Sequence, residues 1–144
     1  MGHRSVRRWL DQDVDTDTIR TVAAAAQSAS TSSNKQIVSV VAVRDSQQKK
    51  ALGEVGGQTQ FPHISTAPVV FIWLVDTSRI RHAVQWHQQE QPAAHYTGLQ
   101  YVDEAFIGAV DIGIAAQNTA LAAQSLGLGG GLSGLNAQRR RKRG

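Results

Sequence analysis

Between Tyr101 and Leu126 the chain contains no proline and sets Ala105, Phe106, Ala109, Ile112, Ala116, Ala120 and Ala123 near one stripe, with Gly108 and Gly113 in the same run. That spacing predicts a single long helix, ended by Gly127. Side chains this small let a second helix approach closely, so the helix is expected to be buried, in a domain core or at a subunit interface. At 144 residues, 41% hydrophobic and 18% charged, the chain reads as one soluble domain. It carries no internal repeat and no linker between domains.

Two strands and two further helices are predicted upstream. Asp15 stands as an N-cap before an alanine-rich segment, Thr16 to Ala29, that keeps Ile19, Val22, Ala23 and Ala26 on one face. Polar punctuation from Ser28 to Asn34 ends it. Ile37 to Val43 is mostly β-branched and fits a buried strand. Ser46 is expected to cap a short helix, about Gln47 to Val55, which stops at Gly56-Gly57. Pro68 opens a second strand through Val75. Residues 77 to 100 show no firm period and read as a surface excursion.

The formal charge of +4 comes from the tail, where Arg139, Arg140, Arg141, Lys142 and Arg143 hold five of the fifteen basic residues. Residues 1–138 therefore carry ten basic against eleven acidic side chains, net −1. That body is not a polyanion binder by charge, and without a basic face on it a nucleic-acid partner is not the expectation; the lesser reading makes the tail from Arg139 to Arg143 a salt-sensitive, sequence-indifferent nucleic-acid contact. With no cysteine, disulfide scaffolds, thiolate metal sites and cysteine nucleophiles are excluded; the composition fits a cytoplasmic protein. Outside the helical region the longest apolar stretch, Ala67 to Val75, is too short to span a bilayer, and the first twenty residues hold no apolar signal core. No membrane association is expected.

Several motifs fail on context. Gly129-x-Gly131-x-x-Gly134 spells a dinucleotide loop but follows a helix where a strand is required. Asp11-x-Asp13-x-Asp15 has calcium-loop spacing, yet Thr16 and Val22 stand where glycine and glutamate are needed. His82, His87 and His95 lack a supporting frame for a metal, and no Gly-x-Ser-x-Gly or Walker spelling occurs. What survives is anion recognition. Arg4 and Arg7, with Ser5 and His3 beside them, offer forked donors and a hydroxyl suited to a phosphate monoester, against the plainer reading of a solvated basic arm. Ser32, Ser33, Asn34, Gln36 and Gln58 are neutral donors and acceptors suited to the edge of a heteroaromatic ring; taken singly, each also reads as turn chemistry.

Taken in order, His3-Arg4-Ser5-Val6-Arg7, Thr31-Ser32-Ser33-Asn34-Lys35-Gln36, Gly56-Gly57-Gln58, Ala67-Pro68-Val69-Val70-Phe71, Ala109-Val110-Asp111, Ala115-Ala116-Gln117-Asn118 and Ala122 to Gly130 resemble the FMN-dependent nitroreductase family, in its branch of oxygen-insensitive NADPH nitroreductases and flavin reductases. The resemblance implies an α+β fold, a three-layer sandwich with a mixed β-sheet flanked by helices. It implies FMN as cofactor and NADPH as co-substrate, with electrons passing in turn to a small-molecule acceptor: a nitroaromatic, a quinone or a flavin. His3, Arg4, Ser5 and Arg7 would hold the ribityl phosphate and nearby flavin atoms, Gln58 the polar side of the ring, and Gly129 and Gly130 would lie beside the isoalloxazine. Ser32, Ser33, Asn34 and Gln36 would reach a flavin held mainly by the other subunit of a homodimer. No side chain is assigned as catalytic, since the flavin itself carries the electrons.

The resemblance breaks after Gly130, where the family continues into further strands and this chain runs into its basic tail. The expected organisation is a nitroreductase-like domain over 1–138, incomplete at its C-terminus, and a disordered basic tail over 139–144, read as translation out of frame. An incomplete sheet would expose an edge and apolar helix faces. The alternative to an active oxidoreductase is accordingly a truncated remnant, or a flavin-binding form without turnover.

Overall fold

The computed structural model describes residues 4–57, 61–92 and 102–133. His3, Gln58, His95, Gly134 and the tail from Arg139 lie outside the described residues.

The described elements are α1 (Thr16–Gln27), β1 (Val38–Val43), α2 (Ser46–Gly56), α3 (Phe61–Thr66), β2 (Val70–Val75), α4 (Ser78–Glu90) and α5 (Val102–Ser125). The α+β class expected of the sequence holds. Within it β1 and β2 form an antiparallel pair, Val38 opposite Val75 and Val43 opposite Val70, although α2 and α3 intervene in sequence.

Caps set the helix ends. Asp15 accepts from the Thr18 amide at 2.8 Å and from its hydroxyl at 2.6 Å, satisfying a free donor of the first turn. Those two bonds, the hydroxyl's first, hold its carboxyl below the usual carboxylate range. The N-cap of α2 is Asp45, which accepts from the Gln48 amide at 2.8 Å; the expected cap, Ser46, is instead the first helical residue. A carboxylate is the stronger acceptor there and also faces the positive end of the helix dipole. The end of α5 is a Schellman turn, with Leu128 N donating to Ala123 O, Gly127 N to Gln124 O, and Gly127 at φ 79°.

Two segments differ from expectation. Residues 78–90 are helical and not a surface excursion. The helix buries no residue, so no apolar period marked it; it starts where Asp76 accepts from the Ser78 amide at 2.9 Å, and Arg79 ties it to Ser39 of β1 at 2.8 Å. The short helix α3, unmarked in sequence, packs on α2 where Gly53 meets Phe61. A Cβ on Gly53 would stand 2.9 Å from Phe61 Cδ2, so this glycine permits the contact.

The core is small: Val22, Ala26, Ile37, Val43, Ile64, Ala67, Ala115 and Ala116. Helix α1 packs along α5, and α5 lies on the strand pair, seated at Gly108 against Val75 and Ile37. Ile37 is 2% exposed and its carbonyl accepts from Asp76 N at 2.7 Å. Ile37→Ala is expected to cost about 3 kcal/mol of unfolding free energy in urea titration, from lost transfer energy plus the cavity left beneath α5.

The long helix is buried on one face only, which corrects the expectation of a wholly buried element. Gly108, Asp111, Ala115, Ala116 and Thr119 are covered. The opposite face exposes Val102, Phe106, Val110, Ile114 and Leu121, with Phe106 at 68%. The expected small-residue stripe runs along the boundary, so Ala105 and Ala109 stand in solvent while Ala116 is buried. By length and composition α5 could cross a membrane; its polar residues Glu104 and Asp111, however, are paired within the fold.

Candidate functional site

Two groups of the sequence-selected residues are drawn into separate places. The first joins the N-terminal arm to the glycine loop after α5. Val6 N donates to Gly130 O at 2.9 Å, and the loop presses on the arm: a Cβ on Gly129 would meet Val6 Cγ2 at 2.8 Å, and one on Gly131 would meet Val6 O at 3.1 Å. Both glycines are therefore needed for the approach. Gly130 differs, since a Cβ there would meet nothing within 4 Å, leaving its backbone beside open space.

A second anchor holds the arm from the other side. Trp9 Nε1 donates to the His63 carbonyl at 2.8 Å, and His63 Nδ1 stands 2.9 Å from the Arg7 carbonyl. A free basic arm would have neither bond, so the solvated-arm reading does not describe residues 6–9. The side chains of Arg4, Ser5 and Arg7 are exposed. Among the described residues the ion pairs are Arg20 with Asp17 and Lys35 with Glu104, and no carboxylate neutralises Arg4 or Arg7. The result is two exposed guanidinium groups and a hydroxyl on a docked backbone that is bonded to Gly130, donor groups of the kind that can bind an anion.

The second group is the segment from Thr31 to Gln36. Buried Asp111, 3% exposed, accepts from Ser32 N at 2.9 Å. Lys35 pairs with both oxygens of Glu104, at 2.6 and 2.5 Å, in a contact where both side chains are 19% exposed. Asn34, between these anchors, and Gln36, just after the second, adopt φ 50° and 56°, a left-handed conformation that costs a non-glycine side chain energy and persists only where neighbours hold it. The Asn34 amide donates to Thr31 Oγ1 at 3.0 Å, and Gln36 Nε2 to Asn34 Oδ1 at 2.5 Å. Ser32, Ser33, Asn34 and Gln36 are left exposed.

Within one copy of the chain the two groups belong to different stretches of α5. Asp111, the anchor of Ser32, precedes Ser125 by fourteen residues, about 21 Å of helix rise, whereas the arm and Gly130 meet beyond the helix end. A surface depression lined by Asp76, Arg81 and His82, among others, contains no member of either group. Sequence reasoning missed the anchors, namely Val6, Trp9, His63, Lys35, Glu104 and Asp111. Val6, Lys35 and Asp111 stand in segments that carry the resemblance, and Asp111, a carboxylate inside an apolar helical run, also carried a signal by residue type.

Comparison with known proteins defines the class. The model of the nitroreductase family matches residues 1–142, running past Gly130. The FMN reductase [NAD(P)H] of Bacillus subtilis (strain 168) is 38% identical over 129 residues, 88% of this chain and 49% of that protein. Among solved structures, nitroreductase A of Vibrio parahaemolyticus superposes with a TM-score of 0.69 at 34% identity, over 89% of this chain and 49% of that one. The NADPH:FMN oxidoreductase of Vibrio harveyi complexed with NAD+ gives 0.68 at 33%, over 88% and 50%. The chain belongs to the nitroreductase family and has its fold; it spans about half the length of the curated relatives it matches.

Proposed function

We propose that this chain acts as an FMN-dependent oxidoreductase that takes electrons from NADPH or NADH and delivers them to a nitroaromatic, a quinone or a flavin. The observation that carries the reading is the Val6–Gly130 hydrogen bond, which joins the cationic arm to the glycine loop as a single surface. FMN fits that surface by its chemistry. Its phosphate is a dianion for Arg4, Arg7 and Ser5, which have no competing carboxylate among the described residues, and the open side of Gly130 admits a flat ring. His3 and Gln58 complete the set on the strength of the resemblance. When bound, the flavin supplies hydride acceptance and onward electron transfer. The protein's own residues bind, orient and leave one ring face accessible.

The reading includes a homodimer. The uncovered Val102, Phe106, Val110, Ile114 and Leu121 form one helix face, an apolar surface that a second copy would bury. A two-fold axis across α5 would bring Ser32, Ser33, Asn34 and Gln36 of one copy toward the arm and loop of the other, which accounts for their separation within a single copy. Burying α5 in this way gives its apolar length a reason other than a membrane. Reduced pyridine nucleotides are intracellular metabolites, so the setting is cytoplasmic.

The test is the visible spectrum of the chain after incubation with FMN and removal of free flavin. Flavin near one per chain, bleached by NADPH and recoloured by a quinone, is the expected result. Bound flavin that NADPH does not bleach would favour a flavin-binding form without turnover. A colourless protein would refute both.

A further inference from the structure

Residues 7–9 and 63 contact each other twice. The Trp9 indole donates to the backbone carbonyl of His63 at 2.8 Å, and the His63 ring reaches back to the backbone carbonyl of Arg7 at 2.9 Å. A carbonyl oxygen only accepts, so this second bond requires the proton on Nδ1, which both the Nδ1–H neutral tautomer and the imidazolium supply. The two bonds run in opposite directions between the same two segments and bracket the Arg7–Arg8–Trp9 backbone. Beneath them, α3 is held on α2 by the close contact of Gly53 with Phe61 and by Phe61 N donating to Gly57 O at 2.9 Å. Buried Ile64 sits next in the same helix. His63 therefore stands on a packed platform.

On its other side the arm is tied by the Val6–Gly130 bond. The backbone from 6 to 9 is thus clamped at both ends, and Arg7 projects from between the clamps. An arginine side chain loses rotamer freedom when it is fixed. A backbone already held in place leaves less to be ordered when the guanidinium meets an anion.

We propose that His63 is a positioning residue for the phosphate grip, holding the Arg7 carbonyl so that the Arg4–Arg7 arm is preorganised, with Trp9 completing the lock. This rests on the reading of the arm as the FMN phosphate site. It adds a residue more than fifty positions away in sequence that acts through the Arg7 carbonyl.

Riboflavin, which is FMN without the phosphate, separates positioning from general loss of structure. The measurement is the dissociation constant of FMN and of riboflavin, by quenching of flavin fluorescence, for the full chain and for His63→Ala, His63→Asn and Trp9→Phe. His63→Ala removes one side-chain hydrogen bond and should weaken FMN about three- to tenfold while leaving riboflavin within about twofold. His63→Asn keeps a side-chain N–H near the Nδ1 position and should restore FMN binding to within about twofold of the parent. Trp9→Phe keeps an aromatic ring without its donor and should repeat the FMN-selective loss, which covers the case in which His63→Ala folds poorly.

Equal weakening of both ligands in His63→Ala and Trp9→Phe, or no weakening of either, would overturn the proposal while leaving the FMN site in place. A parent chain that binds FMN no more tightly than riboflavin would overturn the phosphate reading, and the lock with it.

Discussion

Arg4→Ala combined with Arg7→Ala is expected to lower FMN affinity by at least about a hundredfold, with riboflavin affinity little changed. Each guanidinium can donate charge-assisted hydrogen bonds to a phosphate, and such bonds contribute about 1.5–3 kcal/mol apiece. The two together reach at least about 3 kcal/mol, or two orders of magnitude in a dissociation constant. The fold should survive, because both side chains are exposed and unpaired among the described residues. The contacts holding the arm are made by Val6, Trp9 and the Arg7 carbonyl, none of which the substitutions remove. Equilibrium dialysis against FMN and riboflavin, with circular dichroism as the check on folding, measures the effect. Stoichiometric FMN retained by the double variant would refute the assignment of the arm.

Phe106→Asp combined with Val110→Asp is expected to turn a dimer into a monomer, weakening self-association by at least about a thousandfold. Within one copy these side chains are 68% and 58% exposed, so the substitution costs the isolated fold little. At a two-fold interface every change occurs twice. Four apolar side chains, each contributing about 1.5–3 kcal/mol when fully buried, would be lost, and four carboxylates would have to be desolvated or left facing one another. Sedimentation equilibrium of parent and variant reads the result. Equal masses for the two would show that α5 is not the interface. In the dimeric reading the variant should also bind flavin less tightly, since Ser32, Ser33, Asn34 and Gln36 could no longer reach the partner's arm.

Much of the architecture was legible because it depends on local chemistry. The alanine-rich period of α1, the β-branched runs of β1 and β2, and the proline-free length of α5 each announce themselves through propensity and spacing. Their ends were legible to within a residue or two, because caps are local: Asp15 and Gly127 act on donors and acceptors a few positions away. Helix α4 was not legible, since it buries no residue and so has no apolar period to read. Helix α3 was not either, because six residues are too few for a period, and what forms it is contact with α2 through Gly53.

For the candidate site, the sequence alone named the groups whose chemistry suits a phosphate and the edge of a heteroaromatic ring. Arg4, Arg7, Ser5, the Ser32–Gln36 segment and the glycine loop were selected by residue type and by resemblance. Which of them meet was decided in three dimensions. The arm joins the loop through a backbone bond spanning more than 120 positions, invisible to any local pattern because one amide looks like another. The Ser32–Gln36 segment is carried away from that pair by Asp111 and Glu104. The same holds for the faces of α5: composition determined that it would be long and apolar, but which side is covered depends on where α1 and the strand pair lie. Local sequence determines the conformation of each element because the forces there act over a few residues. Only the tertiary structure decides which distant groups share a surface, because that follows from packing many elements at once.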